Sequence, residues 1–272
     1  QDLAHRHRGG AIAPPNQDFV AAIGTSPLKA PLTADFSPGT TFTMEGWIYL
    51  NGAKQPGWLM GKCLATGGSD PFVSFSLQLD SVTGDKPVFA WSTGAVGSYR
   101  TITSNVAIPL RTWTHLAAVM DGAVTRVLVN GVVTATGTAI SAPPAPAGVP
   151  FGVGVAYLAN GSSNYQFFPG YARQLRFWNV ARTAAQITAA LGESLPTDRA
   201  GLVAAWPLDE LGGTTARDIS ANGRPLAVAN GTITAVRESF LAAGPFFAAT
   251  KTAVTDGSLD YLNPAGIAID FD

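Results

Sequence analysis

A chain of 272 residues with 46 % hydrophobic content is long enough for one large β-sandwich with extensions, or two small domains, and can bury a sizeable core. Only 13 % of its residues are charged, about half the usual globular share, and the net charge is −1. No basic stripe exists, which argues against nucleic acid or anionic membrane as partners.

The single cysteine, Cys63, excludes an intramolecular disulfide and a cysteine-based metal site. No apolar run reaches the length of a membrane span. The start at Gln1, without a methionine, fits a processed or trimmed chain.

Residues 1–18 read as an extended arm, with a basic His5–Arg8 cluster, Gly-Gly at 9–10 and Pro-Pro at 14–15. Strand-like alternation begins in FTMEGWIYL at 42–50, where Thr43, Glu45, Trp47 and Tyr49 oppose Phe42, Met44, Ile48 and Leu50. Gly57–Lys62 and Val73–Leu79 follow, then weaker strands at Pro87–Trp91 and Tyr99–Thr103. Trp113–Met120, Thr125–Val129 and Val132–Thr136, joined at Asp121-Gly122 and Asn130-Gly131, predict a three-strand meander. Asp-Gly and Asn-Gly signal type I′ hairpins, which need positive φ at both central residues. The proline-rich 141–150 is a surface loop, and β structure resumes over Phe151–Tyr157 before a polar turn at 160–164.

The passage FPGYARQLRFWNVARTAAQITAAL, 168–191, carries most information. Strict alternation there sets Tyr171, Arg173, Leu175 and Phe177 against Ala172, Gln174, Arg176 and Trp178. The strand runs into a short helix capped by Thr183, with Gln186 completing a capping box and Gly192 closing it. Leu202–Leu208 is a further strand, limited in pairing by Pro207, and residues 266–272 alternate again. Short strands at regular spacing with one short helix predict an all-β, antiparallel two-sheet sandwich with terminal extensions.

Four of these stretches, 42–50, 113–137, 168–191 and 201–223, together resemble LamG-like jelly rolls of the concanavalin A-like lectin/glucanase superfamily. The resemblance implies a jelly-roll domain over 19–236, preceded by the arm over 1–18 and followed by an extension over 237–272 packed on the sandwich or on a neighbour. The 201–223 stretch matches the family's opening segment yet stands near the end. It either closes the same sheet from the C-terminal side, begins a second jelly roll for which too few residues remain, or completes a neighbouring molecule by strand exchange.

The superfamily's glucanases place paired carboxylates on one strand face as E-x-D-x-E, and no such run exists here. Retaining glycosidases need two carboxylates about 5 Å apart, whereas neighbours such as Asp209 and Glu210 would face opposite sides of a strand. His115 reads as a histidine bonded to backbone, and Gly152-Val-Gly154 as a packing feature. Asp218 and Asn222 offer hard oxygens in a tight loop, a candidate site for one structural calcium, which the resemblance favours; a plain Asx-turn is the alternative. Against calcium, Arg173 and Gln174 stand where relatives carry acids. Trp58, Trp91, Tyr99 and Tyr165, in or beside loops, are the candidate ligand-binding aromatics, while Trp47, Trp113, Trp178 and Trp206 belong to the core. Asn160 and Asn230 begin glycosylation sequons that Asn-Gly turns explain without sugar.

The expected function is a non-catalytic, secreted or cell-surface binding module recognising glycan or protein. The rival reading is a structural subunit of an extracellular filament, sheath, surface layer or phage particle, self-assembling through its terminal segments. A glycoside-active enzyme of the same superfamily comes third.

Overall fold

The computed structural model describes residues 19–237 apart from 24, 38, 53–54, 65–69, 139–140, 159–162, 166 and 230, and adds short strands at Thr252–Ala253, Leu259–Leu262 and Ala268–Ile269. The expected arm over 1–18, residues 160–162 of the polar turn expected at 160–164, and the packing of the 237–272 extension lie outside the described residues; Ser163 and Asn164 of that turn are in a strand.

Alternating side chains become strands close to the positions the pattern marks, because a pleat sends successive side chains to opposite faces. In chain order these are β1 (Phe19–Ala21), β2 (Leu28–Lys29), β3 (Thr41–Leu50), β4 (Gly57–Cys63), β5 (Val73–Leu79), β6 (Pro87–Trp91) and β7 (Arg100–Thr103). The meander follows as β8 (Thr114–Asp121), β9 (Val124–Val129) and β10 (Val132–Thr138). Then come β11 (Gly152–Val153), β12 (Ala156–Tyr157), β13 (Ser163–Tyr165) and β14 (Gly170–Trp178), the helix α1 (Ala184–Ala189), and β15 (Leu202–Trp206), β16 (Thr215–Ala216), β17 (Leu226–Val228) and β18 (Ala235–Arg237).

Two antiparallel sheets face each other. Sheet I runs β10-β9-β8-β3-β14-β1-β18, with β15 also on β14, and sheet II runs β16-β17-β2-β11-β4-β5-β6-β7. Between them lies an aromatic core: Phe36 meets Phe151 at 5.0 Å, Phe42 meets Phe75 at 5.0 Å, and Phe151 meets Phe177 edge-on at 5.3 Å. Trp206 is fully buried among them.

The displaced opening-type segment closes the same sheet within the chain. Beyond β3, the other edge of β14 is shared: β1 pairs at Ala172, and β15 pairs from Leu175 to Trp178. The two halves meet at a bulge. Gln174 has φ 51°, a left-handed conformation uncommon for glutamine, and its N–H donates to Pro207 O at 2.9 Å. The bulge breaks the expected alternation. Ala172, Leu175 and Phe177 join the core, while Tyr171, Arg173, Arg176 and Trp178 share the outer face, because one extra residue shifts the phase of a two-residue period. Gly46 lies opposite, where a Cβ would collide with Leu175.

Two local expectations are corrected. Asn130 and Gly131 both have positive φ, as type I′ requires, but the β8–β9 turn centres on Gly122-Ala123 with positive φ at Gly122 alone, the type II′ pattern. The Thr183–Gln186 capping box forms, yet α1 ends at Ala190, whose N–H bonds back to Gln186 and Ile187 carbonyls; Gly192 has no left-handed φ and is not the cap.

Because β15 and β17 lie in different sheets, the last third of the sandwich is built into both. Truncation after residue 195 is expected to give an aggregating chain, since the edge of β14 and the aromatic core lose their cover. A soluble 1–195 fragment with a cooperative melt, by size exclusion and calorimetry, would contradict this.

Candidate functional site

The outer face of sheet I carries charge that is nonetheless buried. Glu45 on β3 has no exposed surface. Its Oε1 accepts from Trp178 Nε1 at 2.9 Å and Arg176 Nη1 at 3.4 Å, and its Oε2 lies 3.6 Å from His115 Nε2. The segment after β14 folds over this group as a cover. Arg176 donates onward to the carbonyls of Ala190 and Glu193, and Trp47 Nε1 donates to Leu191 O at 3.2 Å. Thr43 Oγ1 donates to Val180 O and accepts from Arg182 N, each at 2.9 Å, and the Arg182 guanidinium stacks on Trp178 at 3.9 Å. Asn130 secures the neighbouring strand: its Oδ1 accepts from His115 N at 2.9 Å. Burial pulls the pKa of His115 down to about 4, with Arg176 assisting and Glu45 opposing, so the ring is neutral at pH 7.

The cover reaches only half of the face. Beyond it a row of aromatics crosses three strands. Tyr49 pairs with Tyr171 in register, their rings 6.1 Å apart, and meets Trp113 at 5.5 Å on its other side. Tyr49 is 4 % exposed, and Trp113 and Tyr171 are half-buried around it with Val236. Arg173 places its guanidinium 4.2 Å from the Trp113 ring and is 1 % exposed. The half-buried indole therefore lies over a buried cation. Polar groups stand at the rim: exposed Asn51 donates to the Tyr171 hydroxyl at 3.1 Å, and Arg111 is exposed beside Tyr49. Burial raises the pKa of Tyr49, the Arg111 charge working against it, and burial also raises that of Tyr171; both stay protonated donors. A half-buried indole bordered by amide, guanidinium and phenol groups can stack on a flat apolar surface while hydrogen-bonding hydroxyls at its margin.

The family profile described as the concanavalin A-like lectin/glucanases superfamily matches residues 23–188. The chain belongs to this superfamily. Among solved structures, a candidate carbohydrate-binding protein from Bacteroides ovatus is 18 % identical with a TM-score of 0.59, the match covering 81 % of this chain and 60 % of that one. This chain thus spans 60 % of that protein's length. The heptameric SAP-like pentraxin of Limulus polyphemus is 15 % identical with a TM-score of 0.47, covering 79 % of this chain and 92 % of that one. The Ruminococcus gnavus IT-sialidase CBM40, bound to α2,3-sialyllactose, is 15 % identical with a TM-score of 0.47, covering 58 % and 86 %. At these identities the likeness is one of fold. No curated protein matches the chain.

On this superfamily scaffold the residues expected from sequence to bind ligand are dispersed. Trp58 and Trp91 are 1 % and 2 % exposed and lie on opposite faces of sheet II, Trp91 in the main core and Trp58 in an outer cluster with Val149 and Ala156. Neither offers a ring face to a ligand, because strand position decides burial here. Tyr99 is half-buried against that outer cluster and meets the exposed Phe72 edge-on at 5.8 Å. The side chain of Tyr165 lies outside the described residues. Trp113, expected in the core, is instead half-buried in the row on the outer face.

Asp218 and Asn222 do not fit a cation. Asp218 Oδ1 accepts from Ala205 N and Ser220 N at 2.9 Å, and Oδ2 accepts from Ser220 Oγ at 2.8 Å and Arg224 N at 3.0 Å. Asn222 donates its amide to the carbonyls of Leu202 and Val203 at 2.9 and 3.0 Å. Donors converge where calcium would need lone pairs, so the loop is an Asx-turn that locks onto β15. Asp209 and Glu210 both hold Arg217: its Nη2 donates to Asp209 Oδ2 and its backbone N to Glu210 Oε1, each at 2.8 Å. Among the described residues no group of three or more His, Cys, Asp or Glu side chains could hold a metal ion.

Two outcomes follow from these assignments. The folded state holds His115 neutral down to about pH 4 while the unfolded chain takes up its proton near pH 6.5. Stability from this group is therefore complete above about pH 6.5 and lost as pH falls toward 4, by on the order of 3 kcal/mol. Urea titrations across that window check it; a His115→Gln variant should show a flatter profile, and an unchanged slope would refute the assignment. Asp218→Ala should cost about 1–3 kcal/mol by leaving buried donors unpaired, while EDTA should leave the wild-type melting temperature unmoved. A drop in EDTA restored by Ca²⁺ would overturn the Asx-turn assignment.

Proposed function

We propose that the protein is a non-catalytic binding module, secreted or displayed at the cell surface, that recognises glycan through the uncovered half of sheet I. The observation that carries this reading is the Trp113–Tyr49–Tyr171 row, half-buried at both ends, with exposed Asn51 and Arg111 beside it. Sugar rings present apolar C–H faces and equatorial hydroxyls, and such a row meets both demands. The superfamily fold and its likeness to a candidate carbohydrate-binding protein support the choice of ligand class. The commitment of Asp209 and Glu210 to Arg217 supports binding without hydrolysis, since neither is left as a nucleophile or acid aimed across an open cleft.

A glycan array followed by calorimetry on the best ligand tests the reading. Trp113→Ala should weaken binding by about 2 kcal/mol, roughly thirty-fold, as loss of an aromatic hot spot does. Its melting temperature separates lost contact from lost fold. No glycan binding by the wild type, or full affinity in the variant, would refute the reading, and release of reducing ends from a bound glycan would refute its non-catalytic part.

A further inference from the structure

The ions of this sandwich are mostly spoken for. Arg126 pairs with Asp121, Arg176 with Glu45, Arg182 with Asp198, Arg217 with Asp209 and Arg224 with Asp35. Arg100 donates to the Gly97 and Tyr99 carbonyls, and Arg199 to Pro196 O. Arg111 differs. Among the described residues its side chain has neither an ion pair nor a hydrogen-bond partner, and it is exposed at the rim of the aromatic row.

Its backbone, by contrast, is held firmly. Arg111 has φ 56°, in the left-handed region that costs a non-glycine residue about 1 kcal/mol or more. Its N–H donates to Leu50 O at 2.9 Å, and Leu110 forms a bridge with Leu50. These contacts seat Arg111 against Leu50, the residue after Tyr49, with its side chain exposed, and its charge opposes the rise in the Tyr49 pKa that burial causes.

Arg173 braces the indole beside it through a cation–π contact with the Trp113 ring at 4.2 Å. The remaining side chains of the row, Asn51, Tyr49, Tyr171, Trp113 and Val236, are uncharged.

We propose that this face selects acidic saccharides, with the carboxylate of a uronic- or nonulosonic-type sugar received by Arg111 while the sugar ring lies on Trp113; this rests on the glycan reading of the same face. The guanidinium fork matches the two carboxylate oxygens, and the charge-assisted bonds are stronger than those a neutral hydroxyl makes. Exposed Asn51, bonded to the Tyr171 hydroxyl, stands at the margin to meet a ring hydroxyl.

The test is an array carrying each acidic glycan beside its carboxyl-reduced or acid-stripped counterpart, read with the full chain, Arg111→Gln, Arg111→Lys and Trp113→Ala. Wild type should prefer the acidic member of its best pair by about ten-fold, and the preference should shrink as salt rises from low to physiological ionic strength. Arg111→Gln should erase the preference while neutral counterparts keep their wild-type signal, and Arg111→Lys should retain part of it. Trp113→Ala should weaken both members alike. If the wild type binds neutral counterparts as well as acidic ones and Trp113→Ala still loses both, the glycan reading survives and the acidic selection falls. An acidic preference that persists in Arg111→Gln also overturns it, and absence of any glycan binding overturns both.

Discussion

A carboxylate placed on the outside of a sheet and then buried sets the terms for this molecule. Glu45 has no exposed surface, so its charge must be met by donors brought to it. Trp178 and Arg176 donate to it from β14, and they reach this face only because β14 is bulged at Gln174; His115 stands 3.6 Å away on β8. Arg176 in turn donates from its two terminal nitrogens to the carbonyls of Ala190 and Glu193, at the end of α1 and just after it. The cover over sheet I is thus the outer shell of one buried ion. Breaking a buried pair from one side usually costs about 3–5 kcal/mol, because the abandoned charge stays behind.

The same arrangement fixes where the cover stops. Its anchors are Thr43, Glu45 and Trp47, successive outward residues of β3, and the chain then turns away through Glu193. The next outward residue, Tyr49, lies beyond the reach of this segment and becomes the centre of the aromatic row. Arg173 joins the two halves: it stands opposite Trp47 in register and reaches Trp113 with its guanidinium. The stiffness of the candidate binding face therefore derives from the covered half beside it, and a rigid aromatic surface loses little entropy when a ligand lies on it.

Closure of the sandwich from the C-terminal side has a related cause. β14 ends its pairing with β1 at Ala172 and resumes with β15 at Leu175, and the gap between is filled by the bond from Gln174 N to Pro207 O. Pro207, which cannot donate to a ladder, sits where only its carbonyl is needed. The Asx-turn at Asp218 then ties the following loop back to Ala205, so that β16 and β17 can cross to sheet II.

Much of this was legible in the residues alone. Alternation marked β3, β5, β6 and the meander, Asn130-Gly131 marked its hairpin, and Thr183 with Gln186 marked the start of α1, because each is a local matter of side-chain period, turn φ or cap bonding. Four motifs together indicated the superfamily. The bulge at Gln174 was not legible, since nothing local distinguishes a glutamine that will adopt positive φ, and its single residue of slip moved Arg176 and Trp178 to the other face. Nor was the exposure of the aromatics: Trp58 and Trp91 lay near loops yet are buried, while Trp113, inside a strong strand pattern, is only half-buried. Sequence determined which residues sit in strands and which side chains alternate. Only the tertiary structure decided which outward face would be covered, because that depends on how far a segment distant in the chain must reach to satisfy one buried charge.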